Sequence, residues 1–338
     1  MIGGWHPGGG LCDSFWKDPY PFSIFMALAA SQLNSRFGIS LRGKGTGVLD
    51  VGVPVLAGNS VESLFGLAAT RGREGALELF EAGEWLLGMS SVPVTPQTLE
   101  RETRALYRSV LLASREFHLA RIWNYVPAIN AAGAAGIENY RVFCRGRSIA
   151  FEESLGAGFK KCLPSGSAVG TDSSSLSVVF AASRSVPHHF ENPLQVPAYE
   201  YPDDYGPRSP SFARATVVRG AAVAGIFISG TAAIRGHATM APGDVEAQLR
   251  YTLENLESIS AECGVALSNA ANGRALTRSF KVYLKEARDL RAVAQVLESR
   301  LLRPGDGVSY LRTDICRKEL SVEIEATLFE ALGKGVSL

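Results

Sequence analysis

Alternation of apolar and polar positions is clearest near the C-terminus, where Leu320, Val322 and Ile324 interleave with Ser321, Glu323 and Glu325. Period-two spacing puts the first three on one face of a strand and the other three on the opposite face. Residues 309–326 read as two short strands around a polar turn at Arg317, Lys318 and Glu319, which sets Cys316 and Asp314 across from Ser321 and Glu323. Further strands are expected at 48–57, 84–89, 120–128, 174–182, 213–218, 222–229 and 280–284. Helical spacing takes over after Thr95-Pro96, where Leu99, Leu106, Val110 and Leu111 form a stripe to about residue 117. It returns after Asp244, a capping residue, with Val245, Leu249, Leu253, Leu256 and Ile259, and again over 290–302. Residues 140–151 follow no single period.

The order of these elements repeats: strand, glycine-containing turn, long helix, strand, final strand. Leu87-Gly88-Met89-Ser90-Ser91 stands where Ile228-Ser229-Gly230-Thr231 stands later, and Leu176-Ser177-Val178-Val179 echoes Leu320-Ser321-Val322-Glu323. Two tandem α+β units, each a mixed sheet packed by helices, account for the echoes. The expected layout is an irregular segment over 1–40, a first unit over 41–190 and a second over 191–338. The Pro- and Tyr-rich stretch 187–210 at the junction is too aromatic for a plain linker and reads as an ordered loop or lid. Val179 holds in the first copy the place of Glu323 in the second, so the fold itself does not require that carboxylate.

Composition narrows the choices. The 338 residues carry 34 basic and 33 acidic side chains, a net charge of +1, which gives no footprint for a nucleic-acid partner. The apolar run at 22–30 is too short to cross a bilayer, and no basic region precedes it, so a cytoplasmic protein without membrane attachment is expected. The five cysteines are scattered with no CxxC pair, which disfavours a zinc site or a disulfide framework. His188 and His189 lack a third ligand at metal-like spacing, and no GxGxxG or P-loop string appears.

Several strings nevertheless carry a family likeness. The stretch 192–214 (NPLQVPAYEYPDDYGPRSPSFAR), Ser229-Gly230-Thr231-Ala232 with Gly236-His237, and the Cys316/Glu323 stretch resemble the chorismatases. Arg121-Ile122-Trp123-Asn124-Tyr125 and Asn139-Tyr140-Arg141 with 143–147 (FCRGR) extend the likeness over roughly 80–330. The second copy alone also resembles the reactive-intermediate deaminase (YjgF-like) fold, so the expected architecture is two YjgF-like units forming a pseudo-symmetric pair within a monomer. The resemblance implies loss of pyruvate from chorismate without metal or organic cofactor. It implies Glu323 as the acid and Arg214 with Tyr201 as a carboxylate grip.

The residues can be asked for the same chemistry. Arg208 and Arg147 are further guanidinium candidates for a substrate bearing two carboxylates. Gly230 and Thr231 can present donors to a substrate oxygen. A carboxylic acid that protonates a carbon near neutral pH needs burial or a neighbouring carboxylate, and Glu325 and Asp314 are placed to supply one. Cys316 resembles the branch that forms 3-hydroxybenzoate, whereas Ala232 resembles the hydrolytic branch that leaves a dihydroxycyclohexadiene carboxylate. A thiol can move protons while Ala232 only shapes the pocket, so 3-hydroxybenzoate and pyruvate are expected, with 4-hydroxybenzoate a third outcome. An imine deaminase and a non-catalytic metabolite-binding protein remain the readings from other classes.

Overall fold

The structure is a computed structural model that describes residues 35–41, 48–63, 70–268 and 276–332. The expected irregularity of 1–40 and the apolar run at 22–30 therefore lie almost wholly outside the described residues. In chain order, β1 (Arg36–Ser40), β2 (Val48–Gly58) and β3 (Val61–Ser63) come first. A first unit follows: β4 (Thr70–Glu74), β5 (Leu77–Ala82), β6 (Trp85–Pro93), α1 (Leu99–Ala113), β7 (His118–Pro127), α2 (Asn139–Leu155), β8 (Ser165–Thr171) and β9 (Ser175–Ser183). The second begins with β10 (His188–Phe190), β11 (Ala215–Arg219), β12 (Val223–Ala232), and the short pair β13 (Ile234–Arg235) and β14 (Ala238–Thr239). It continues through α3 (Val245–Glu262), β15 (Leu276–Leu284), α4 (Leu290–Arg300), β16 (Gly307–Arg312) and β17 (Val322–Ala331).

Strand order shows the repeat directly. The first sheet runs β4-β5-β6-β9-β7-β8, and the second contains β10-β11-β12-β17-β15-β16 in the same arrangement. In each, the pair on either side of the second helix is parallel, β7 with β8 and β15 with β16, as a crossover helix requires. Helices α1 and α2 cover one face of the first sheet through Tyr107, Phe143, Phe151, Ile122, Val178 and Phe180. On the second sheet, α3 and α4 bury Leu256, Ile259, Leu297, Val282, Val322 and Ile324. The remaining two faces meet each other, with Trp85, Trp123, Val179, Phe227, Tyr283 and Phe329 in one shared core. Phe227 sits edge-on to both Trp85 and Trp123, which ties β12 to β6 and β7.

Four sequence expectations need correction. Residues 309–326 are not a hairpin: β15 lies between β16 and β17, and residues 313–321 form a loop. Alternation fixes which side chains share a face but not which strand is the neighbour. The face carrying Glu323 and Glu325 is buried between the sheets, and Asp314 is exposed on the loop. Residues 140–151 belong to α2, whose pattern is blurred because it packs against the sheet on one side and α1 on another. Gly146 makes the second contact, since a Cβ there would stand 2.7 Å from the Glu100 carbonyl. Finally, β2 pairs with β16 and carries β1 and β3 with it, so residues 36–63 extend the second sheet rather than the first. This pairing protects what would otherwise be the open edge of β16, a long-range reason with no local sequence signature.

Candidate active site

Helix α3 anchors two segments that wall a cavity built from both units. It starts where expected, with the Asp244 carboxylate accepting from the Ala247 N–H at 2.9 Å. From its buried face Asn255 donates to the carbonyls of Ala232 and Ile234, both at 2.9 Å, fixing the chain as it leaves β12. About two helical turns away, Gln248 donates to the Glu319 carbonyl and accepts from the Ser321 N–H, fixing the end of the 313–321 loop. The start of that loop is held by the first unit: Gly170 N–H donates to the Asp314 carbonyl, Thr313 Oγ1 to the Gly170 carbonyl, and Asn130 to the Ile315 carbonyl. Ile315 and Leu320 are fully buried against Ala233 and Ile234, so Cys316 and Arg317 are carried between two apolar anchors.

The third wall is the 192–210 segment, which is ordered as expected. Val196 N–H donates to the Gly236 carbonyl, Gly236 N–H to the Leu194 carbonyl, and Ser209 to the Tyr201 carbonyl. The cleft has a volume of about 470 Å³, within the usual range for a small-molecule site. Glu323, Cys316, Arg214, Tyr201, Gly230 and Ala232 all line it. Three expected residues do not. Arg208 is turned outward and pairs with Glu152 at 2.6 Å. Arg147 is buried in the α1–α2 layer, over the Phe143 ring and against Cys144 and Tyr107. Thr231 uses its hydroxyl within its own strand, donating to the Ser229 carbonyl at 2.8 Å.

Glu323 sits at the floor with 3% of its surface exposed, and its Oε1 has no hydrogen-bond partner. Burial first, and the neighbouring Glu325 second, push its carboxyl up to about 8 against the pull of Arg121 and Arg214. Glu323 and Glu325 point from the same face of β17, about 7 Å apart along the strand. At an effective dielectric near 20, two charges at that spacing repel by roughly 2 kcal/mol. Glu323 is therefore a neutral acid at physiological pH. Its carboxyl has room because β12 bulges between Ile228 and Thr231, bringing Gly230 close; a Cβ at Gly230 would stand 2.1 Å from Glu323 Oε1. Ser229 locks the bulge, donating to the Ala213 carbonyl and accepting from Gly166 N–H. Cys316 Sγ lies 4.0 Å from Glu323 Oε2, and burial followed by that carboxyl holds it as the thiol.

Arg214 faces this acid. It donates to Tyr201 Oη at 2.7 Å and to the Val196 carbonyl at 3.2 Å, while its buried Nε lacks a partner. The residue that sequence reasoning missed is Arg317. Its guanidinium lies 4.2 Å from the Tyr205 ring centre and 5.3 Å from that of Tyr201, and donates to the His237 carbonyl and Thr239 Oγ1. Among the described residues neither Arg214 nor Arg317 has a carboxylate within ion-pair distance. The hairpin reading had turned Arg317 outward into a tight turn. Its position directly after Cys316 was the available signal. Tyr140, Arg141 and Phe212 also line the cavity, as do the acidic Glu138, Asp204 and Glu319.

A buried acid, an adjacent thiol and two guanidiniums without an ion-pair partner among the described residues thus line one cleft of small-molecule size. The sequence matches the family described as chorismatase FkbO/Hyg5-like, N-terminal, over residues 65–182. It is 38% identical over 256 residues to a 3-hydroxybenzoate synthase of Streptomyces hygroscopicus, covering 73% of this chain and 74% of that protein. It is 35% identical over 254 residues to a chorismatase of Streptomyces rapamycinicus, covering 72% and 75%. A chorismatase crystal structure superposes with a TM-score of 0.69 at 30% identity, covering 87% of this chain and 92% of the other. The chain belongs to the chorismatase family.

Proposed function

We propose that this enzyme converts chorismate into 3-hydroxybenzoate and pyruvate, with Glu323 as general acid. The observation that carries the reading is the buried Glu323 carboxyl, its Oε1 without a hydrogen-bond partner, on a cavity whose Arg214 and Arg317 have no carboxylate within ion-pair distance among the described residues. Arg214 and Arg317 supply fork-shaped donors for the two carboxylates of chorismate. Glu323 gives its proton to the enolpyruvyl methylene carbon, whose double-bond electrons take it up and leave an oxocarbenium-like centre. The resulting Glu323 carboxylate sits beside that cation and stabilises it in a water-poor site. The C4 hydroxyl oxygen then bonds to ring C3 as the ether C3–O bond breaks and pyruvate leaves. The resulting epoxide opens at its C4–O bond, and loss of the C3 proton makes the ring aromatic with its hydroxyl on C3. Cys316, close to Glu323 and held as the thiol, is placed to pass a proton between ring and carboxylate. No water is consumed in this balance, whereas the hydrolytic branch adds one water to give the dihydroxycyclohexadiene carboxylate.

Ala232 on the cavity wall favours that hydrolytic branch as the second reading. Both units contribute to the cavity, Tyr140 from the first and Glu323 from the second, so a single chain suffices and we take the enzyme to act as a monomer. The deciding experiment is incubation with chorismate and chromatography against 3-hydroxybenzoate, 4-hydroxybenzoate and the dihydrodiol. Equimolar 3-hydroxybenzoate and pyruvate are expected; dihydrodiol as the main product selects the second reading, and unconsumed chorismate rejects both.

A further inference from the structure

Behind the cavity, on the same face of β17, lies a chain of buried charges that does not touch the substrate space. Arg121, on β7 of the first sheet, reaches across the interface and donates to Glu325 Oε2 at 2.7 Å and to Ser167 Oγ at 2.9 Å. Lys281, the register partner of Glu325 on β15, holds Glu325 Oε1 at 2.6 Å and also pairs with Glu62 on β3. All four side chains are at least nine-tenths buried. Trp123 lies between the two cations, 5.0 Å from each. Ser167 joins this chain to the active site, since its Cβ lies 3.2 Å from where a Gly230 Cβ would be, beside the Glu323 carboxyl.

The charges within this chain cancel: two cations, Arg121 and Lys281, face two carboxylates, Glu325 and Glu62. A charge on Glu323 would be a fifth, with no partner left in the chain. Arg121 still has Nε and Nη1 unpartnered, so it retains donors that can answer a charge only when one forms nearby. We infer that Arg121, Glu325, Lys281 and Glu62 are positioning residues that hold Glu323 uncharged before proton transfer and steady its carboxylate afterwards. The inference rests on the reading of Glu323 as the acid. The groups facing Glu323 from each packed element are Cys316 from the loop, Arg214 ahead of β11, Tyr283 on β15, Glu325 on β17 and Arg121 on β7. Those around Glu325 are Arg121, Lys281, Glu62, Ser167 and the phenols Tyr125 and Tyr283.

The test alters the charge balance in opposite directions. Glu325→Gln leaves the network one positive charge in excess and should move the alkaline limb of the kcat/KM–pH profile down by one unit or more. Lys281→Met leaves one negative charge in excess and should move the limb upward. A purely structural role predicts that both variants lose activity by a constant factor at every pH, and that result, or two shifts of the same sign, overturns the inference. Should Lys281→Met fail to fold, Glu62→Gln at the far end of the chain is expected to give a smaller downward shift, and an unmoved limb there overturns it equally. The protonated-carboxyl infrared band that disappears in Glu323→Gln reports the same titration without turnover. An inactive wild-type protein whose band shifts as expected rejects the chorismate reading and leaves the network standing.

Discussion

The two sheets share a strand order and yet treat their inward faces in opposite ways. In the first, β9 presents Ser177, Val179 and Ala181 to the interface, a small and uncharged set. In the second, β17 presents Glu323 and Glu325 from the central strand of the same topology. The connection before these strands differs too: residues 172–174 link β8 to β9, whereas residues 313–321 link β16 to β17 and carry Cys316 and Arg317. The register of β6 with β9 is unbroken, whereas β12 bulges against β17 at Ser229 and Gly230. The buried carboxylates thus belong to one copy, while the other adds Tyr140 and Arg141 to the cavity wall. The difference shows that the carboxylates are additions to the fold that must be stabilised by something outside their own unit. Arg121 is that contribution, a first-sheet side chain paired with a second-sheet carboxylate.

That contrast can be broken most severely at Glu323. Glu323→Gln makes the inward face of β17 as unable to donate a proton to carbon as that of β9. Pyruvate release should fall by about 10²–10⁴-fold with KM little changed, measured by steady-state kinetics with chorismate. Next in size is the bridge between the copies. Arg121→Met leaves Glu325 short of a partner and should cost about 3–5 kcal/mol of stability, read from urea unfolding. Adding Glu325→Leu to it should return part of that loss, because a packed apolar pair avoids the desolvation of buried charge.

A third outcome separates stability from function at the same position. The Glu323 carboxyl is lifted from 4.5 to about 8 in the fold, so the folded protein keeps a proton that the unfolded chain releases in that window. Its contribution is fully present below pH 4.5, falls by about 1.4 kcal/mol per pH unit as pH rises through the window, and levels off above pH 8. Glu323→Gln should therefore be the more stable protein at pH 8 by a few kcal/mol, while the two unfold alike near pH 4. Equal urea midpoints at pH 8 contradict a buried, proton-holding acid. The smallest expected effect is at the loop that only the second copy has. Arg317→Gln should raise KM for chorismate by about tenfold and leave kcat within a factor of a few, the mark of lost ground-state binding. An unchanged KM assigns the second carboxylate to another group.

Much of this contrast was legible in the order of residues. Alternation in 320–325 identified the face that carries Glu323, and the echo with 176–179 showed that the fold can do without it. The Asp244 cap, the helices at 245 and 290 and most of the strands follow from local spacing, which the backbone reads directly. The expected acid, thiol, Arg214, Tyr201, Gly230 and Ala232 do surround one cavity. Arg147 and Arg208 were drawn in by charge and by nearby motifs, but each found a partner inside the first unit's helices. A guanidinium's destination depends on which carboxylates and rings the fold brings within reach, and charge alone does not encode that.

What the sequence determined by itself is the set of faces, the tandem repeat and the chemistry available at the end of β17, because side-chain periodicity and residue type are local properties. What only the tertiary structure decided is partnership. The placing of β15 between β16 and β17 turned an imagined hairpin into a loop and brought Arg317 onto the tyrosines of the 192–210 segment. The joining of β2 to β16 and β3 to β1 carried Glu62 to Lys281. The packing of one sheet on the other set Arg121 against Glu325 and buried the face on which Glu323 stands. An acid is tuned by burial and by the charges around it, and both are properties of the assembled interior, so no stretch of chain holds them alone.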